Sequence, residues 1–190
     1  MTSSDRRRYL SVAVKLFFLA GLGALAAALI ASIGVGDGDG DPEAAPDPWR
    51  IEVDWSALAP GEYQTVEWPD GKLIGIYRRG PGMIAQLEAR GPDALQDPDS
   101  RHSRQPGDLN PAWRSHHPEV FVFLPYETRR GCRVRLDNVR QEWVDPCHGA
   151  RFDLAGRLLR DTGVAEQQNL RVPDYELIGA QRLRLLPPGT

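Results

Sequence analysis

The residue pattern is that of an antiparallel all-β domain behind one apolar N-terminal helix, on three grounds. Residues 49–190 hold short apolar runs separated by Gly, Pro and Asp clusters, the pattern of many short strands joined by tight turns. Residues 16–36 (LFFLAGLGALAAALIASIGVG) carry no charge, and about 20 apolar residues in a helix span the hydrocarbon core of a bilayer. Between these parts lies DGDGDPEAAPDP, residues 37–48, an acidic Gly/Pro linker without apolar periodicity. No internal repeat is evident.

The N-terminal segment, residues 1–15, is basic. Arg6, Arg7, Arg8 and Lys15 precede the apolar run, and Asp37, Asp39 and Asp41 follow it. This asymmetry places the N-terminus in the cytoplasm and the β domain on the other side. Arg6-Arg7-Arg8-Tyr9-Leu10 also reads as a twin-arginine export signal; a plain basic flank gives the same topology. The apolar run exceeds the 7–15 residues typical of a signal-peptide core, so an uncleaved anchor is expected.

Within the β domain, residues 62–68 and 72–78 flank Pro69-Asp70-Gly71, a hairpin signal in which Gly71 supplies the positive φ of the turn. Residues 82–90 place Met83, Ile84 and Leu87 at helical spacing. Residues 92–111, rich in Asp, Pro and Gly, read as a long surface loop. An apolar run at 120–124 predicts a strand. Short strands are expected at 134–136, 151–154 and 157–160, and a closing strand at 181–186.

The chain of 190 residues has a net charge of −3, and its C-terminal arginines (Arg171, Arg182, Arg184) are interleaved with apolar residues, so nucleic-acid binding is not expected. There is no Gly-rich phosphate loop and no nucleophile elbow. His116 and His117 are adjacent, and neighbours entering a strand point to opposite faces, which disfavours a metal pair. His102 sits in the polar loop.

The chemistry concentrates in two segments, Glu127-Thr128-Arg129-Arg130-Gly131-Cys132 and Asp145-Pro146-Cys147-His148-Gly149-Ala150. They resemble the cluster loops of the Rieske iron–sulfur family, C-T-H-x-G-C and C-P-C-H-G-S. The run Asn169-Leu170-Arg171-Val172-Pro173-Asp174-Tyr175 resembles the N-L-x-V-P-x-Y segment of quinol–cytochrome c reductase Rieske subunits. The resemblance implies a Rieske-like fold, a bacterial inner-membrane location with a periplasmic domain, and a disulfide between Cys132 and Cys147. An oxidising compartment agrees with that bond, and closing a loop of about 15 residues stabilises by roughly 3 kcal/mol in the chain-entropy model.

A Rieske [2Fe–2S] centre is held by two thiolates and two imidazoles. At the family's ligand positions stand Glu127, Arg129, Asp145 and His148, and only His148 matches. Ala150 and Phe152 stand where the family carries hydroxyl donors, and Gly163-Val164-Ala165-Glu166 replaces its G-P-A-P loop. The expectation is a protein without cofactor, its family [2Fe–2S] cluster lost. Three readings of the pocket stay open. In the favoured one Arg129 pairs with Glu127 and Asp145 and fills the volume. In the second, Glu127, Asp145 and His148 hold a single metal ion. In the third, a cluster persists with abnormal ligands. The resemblance implies partners among cytochrome b and c-type cytochrome subunits of a respiratory complex, with an accessory or structural role favoured over electron transfer from quinol.

Overall fold

The segment that organises the β domain is the strand β4, Val120–Phe123, buried at every residue. The structure is a computed structural model that describes residues 12–23, 25 and 47–188. The chain divides into two units, residues 1–45 and 46–190. In the first, residues 12–23 are helical, with Phe17, Phe18, Leu19 and Leu22 exposed. Among the described residues no helix is long and apolar enough to cross a membrane. The rest of the expected 16–36 span, the arginines at 6–8 and most of the 37–48 linker lie outside the described residues.

The second unit holds three antiparallel three-stranded sheets. One has the order β1–β9–β8, built from Ile51–Asp54, Arg182–Leu185 and Tyr175–Gly179. Another is β2 (Tyr63–Glu67), β3 (Leu73–Arg78) and β4. The last is β5 (Arg135–Asp137), β6 (Glu142–Val144) and β7 (Arg151–Phe152). The predicted hairpin is present, with Thr65 opposite Gly75 and Gly71 at φ +79° in its turn. The predicted helix runs over Pro81–Ala89 and buries Leu87.

Trp143 on β6 joins the third sheet to the second. Its fully buried indole meets Tyr63 and Tyr77 edge-on, each at 5.3 Å, and lies 4.6 Å from Phe123. Edge-to-face packing of this kind adds about 0.5–1.5 kcal/mol per pair beyond area burial. The β5–β7 sheet, which carries both loops singled out in the sequence, is thereby fixed to the core.

Several sequence expectations shift. Residues 157–160 form no strand: Asp153 accepts from the Ala155 and Arg157 backbone N–H groups at 2.9 and 3.0 Å, turning the chain, and Leu158 and Leu159 make only isolated bridges. The stretch at 92–111 is not simply a surface loop, because Leu95 and Leu109 are buried and Leu95 bridges to Leu159. Within the N-L-x-V-P-x-Y run, buried Asn169 donates to Asp97 O and Ser100 Oγ and accepts from Leu158 N–H. Arg160 adds donors to the Asp93 and Leu95 carbonyls, so these side chains together secure the polar stretch to the domain.

Two fully buried arginines donate to backbone carbonyls. Arg114 donates to the carbonyls of Ala155, Gly156 and Leu170, and Arg79 to those of Trp113 and Val120. Arg114→Met keeps the bulk and strips the donors, leaving Ala155 O and Leu170 O without that partner. At about 1–3 kcal/mol per buried unsatisfied group, chemical denaturation should show a loss of roughly 2–6 kcal/mol.

Candidate functional site

Both loops are built on one plan: an acid at the first position and a glycine of positive φ four residues later. Gly131 has φ +75° and Gly149 φ +70°. In the first loop Glu127 N–H donates to Cys132 O at 2.9 Å, closing the loop's base. The Glu127 carboxylate turns inward and accepts from the backbone N–H groups of Arg129 (2.7 Å), Arg130 and Cys132 (3.3 Å). In the second loop Asp145 N–H donates to Ala150 O at 2.8 Å, while its carboxylate accepts from Cys147 N–H at 2.8 Å. Both acids are buried. Each is the polar core of its own turn.

Gln167 ties the loops together. Its Nε2 donates to Glu127 Oε2 and to Asp145 Oδ2, each at 3.1 Å, and its Oε1 accepts from Val164 N–H at 3.0 Å. His148 Nδ1 lies 3.1 Å from Asp145 Oδ2. Cys132 and Cys147 are disulfide-bonded, with Cα atoms 6.4 Å apart. The segment 163–168 closes over this arrangement. Thr128 Oγ1 accepts from Gln168 N–H at 2.8 Å, and Gly163 lies against Ala150, where a Cβ would come within 2.7 Å of the Ala150 Cβ and 2.0 Å of Gln167 Oε1. Only glycine satisfies both that approach and the φ of +73°.

The expected pairing of Arg129 with Glu127 and Asp145 is not what forms. Its guanidinium points outward, donates to Ala165 O at 2.9 Å and pairs with Glu166 on the surface. A charged guanidinium is costly to desolvate, and the neutral Gln167 amide satisfies two carboxylates without that penalty. The trio Glu127, Asp145 and His148 is replaced by two other groupings. Glu127, Cys132 and His148 each present a donor atom within 4.8 Å of the others, as do Cys132, Asp145 and Cys147. Sequence reasoning missed Gln167, which is one of three consecutive amides, Gln167-Gln168-Asn169, with nothing in the residue order to single it out. His116 and His117 are apart in role: His116 packs edge-on against Tyr175 at 4.8 Å, and His117 Nδ1 accepts from Glu119 N–H.

Burial pushes the Glu127 pKa up, but the Gln167 amide and the N–H groups of Arg129, Arg130 and Cys132 outweigh it and hold the value at about 2.

No family model matches the chain. Among curated proteins, the ubiquinol–cytochrome c reductase iron–sulfur subunit of Rickettsia felis is 34% identical over 137 residues, covering 71% of this chain and 70% of that one. The chain belongs to the Rieske iron–sulfur subunit family. The corresponding subunit of Allochromatium vinosum is 34% identical over 135 residues, covering 66% of this chain and 63% of its own length, so just under two thirds of that relative is matched. The mitochondrial cytochrome b-c1 complex subunit Rieske-1 of Nicotiana tabacum is 31% identical over 135 residues, 70% of this chain and 46% of that one. A solved plasma membrane Rieske protein of the cyanobacterium Synechocystis superposes with a TM-score of 0.38 at 14% identity, covering 66% of this chain and 86% of that one.

These relatives correct the expectation of a protein without cofactor. They are named as iron–sulfur or Rieske subunits, and the Rieske cofactor is a [2Fe–2S] cluster. The physical reason is that losing two thiolates does not empty a site of donors, because carboxylate and imidazole are metal ligands themselves. The residues present do not fit the usual Rieske donor set, however. Glu127, Arg129 and Asp145 stand at three of its four positions, and only His148 is a ligand of the family's type.

Three outcomes are expected from this geometry. Gln167→Leu should lower stability by about 3–5 kcal/mol, since it strips a shared donor from two buried charges, whereas Arg129→Ala should stay within about 1 kcal/mol. Denaturation at neutral pH measures both. Because the folded-state pKa of Glu127 is below its ordinary value of 4.5, its contribution is present above that value and is lost as pH falls toward about 2. Glu127→Gln should flatten the fall of stability across that window.

Proposed function

We propose that this chain is a membrane-anchored Rieske-fold subunit of a quinol–cytochrome c reductase or related respiratory complex, with a structural or accessory role for its β domain. The observation that carries this reading is that Glu127 and Asp145, at two of the positions where the family pattern places ligands, are joined by hydrogen bonds from Gln167. A head held rigid by internal hydrogen bonds is suited to docking. The match to ubiquinol–cytochrome c reductase iron–sulfur subunits and to a cytochrome b-c1 complex subunit supports the choice of partners, which would be cytochrome b and c-type cytochrome subunits. The basic flank and uncharged run of residues 1–36 support a single-pass anchor with a cytoplasmic N-terminus and a periplasmic head.

A second reading, electron transfer from quinol to a c-type cytochrome, is favoured by the relatives' names alone. Deleting the gene and measuring two quantities separates them. The accessory role predicts less assembled complex, with quinol–cytochrome c turnover per assembled cytochrome b unchanged. Full assembly with abolished turnover would contradict it and establish the electron carrier.

A further inference from the structure

We propose that reduction of the Cys132–Cys147 disulfide opens a site for a single thiophilic divalent cation of the Zn²⁺ class. The two cysteine thiolates and the His148 imidazole bind it, and a carboxylate oxygen of Glu127 or Asp145 fills the fourth position. This goes beyond the accessory role, which stands or falls separately.

The two donor groupings within 4.8 Å share Cys132: one contains Glu127 and His148, the other Asp145 and Cys147. In tetrahedral coordination, zinc–sulfur bonds of about 2.3 Å and zinc–nitrogen or zinc–oxygen bonds of about 2.0–2.2 Å place ligand atoms roughly 3.3–3.8 Å apart, so once the sulfurs separate these donors reach one ion by shifts of about 1 Å. The sulfurs are withheld from a metal only by their bond to each other, since the thiolate is the ligand form. Asp145 Oδ2 already holds His148 Nδ1 at 3.1 Å, the kind of carboxylate contact that orients a ligating imidazole. Arg129 faces Glu166 on the surface, so its guanidinium is directed away from the cation. The donors include both disulfide cysteines, which distinguishes this site from the Rieske ligand pattern.

The bond is open to exchange because Cys147 is exposed and Cys132 half-buried. A dithiol reductant attacks Cys147 Sγ as its thiolate, the S–S bond breaks, and Cys132 leaves as thiolate. The second reductant sulfur then displaces Cys147 and forms the reductant's own disulfide. Two electrons pass to the protein, with two protons retained as thiols at low metal concentration. Metal binding releases those protons.

The test uses the full-length chain and Co²⁺ as the spectroscopic probe, before and after reduction with a phosphine. Expected is one Co²⁺ per chain after reduction only, with thiolate-to-cobalt absorption and tetrahedral d–d bands. His148→Gln should weaken binding about tenfold or more, and Cys147→Ser should remove the two-thiolate spectrum. Thermal unfolding of the reduced chain with and without Zn²⁺ covers the case in which reduction loosens the fold, because binding to the native state must raise Tm. Equal uptake by the oxidised chain, a reduced and folded chain without uptake, or an unfolded reduced chain that Zn²⁺ does not restore would each overturn the proposal.

Discussion

Two buried carboxylates on separate loops, held by one side-chain amide, are the constraint on which the site depends. Glu127 and Asp145 each cap their own turn, and Gln167 Nε2 donates to both. Charges of one sign in a low-dielectric setting repel, and hydrogen bonds to the ionised form are what make such an arrangement tolerable. Everything around the amide serves to fix it. The 163–168 segment holds Gln167 through Val164 N–H, Gly163 lets that segment reach Ala150, and Thr128 links it back to the first loop. The disulfide restrains the same two loops covalently, so hydrogen bonds and a covalent bond constrain one geometry.

Much of this was legible in residue order. The Pro69-Asp70-Gly71 turn, the helix over Pro81–Ala89 and the apolar strand β4 follow from local pattern, because each is set by turn chemistry, periodicity or continuous burial. The resemblance to the family placed both loops and paired the cysteines. Strands β1, β6 and β8 were not recognised: three to five residues with charges interspersed carry too little periodicity to stand out. Charge balance with two acids points Arg129 inward. Sequence gives composition and spacing but not direction, and the outward course to Ala165 O and Glu166 depends on where the 163–168 segment lies. Gln167 was missed for the same reason, since its role exists only once three distant segments meet.

Membership of the Rieske family establishes how this chain folds and what kind of complex its relatives serve in. Function belongs to sites rather than folds, and here the site has a different donor set on an intact scaffold. The buried Asp153–Arg157 pair, Asn169 and Trp143 sustain the framework independently of what the loops hold. An accessory role and a redox-gated cation site are compatible with each other, because both rest on loops whose shape is set by protein groups.

A double-mutant cycle between Gln167 and Asp145, read as unfolding free energy of Gln167→Ala, Asp145→Asn and the double variant, tests the central claim most directly. Groups joined in one hydrogen-bond network couple by about 0.5–3 kcal/mol. A coupling in that range is expected, with the second substitution costing less once the first is made. Additive effects, with coupling indistinguishable from zero, would contradict it.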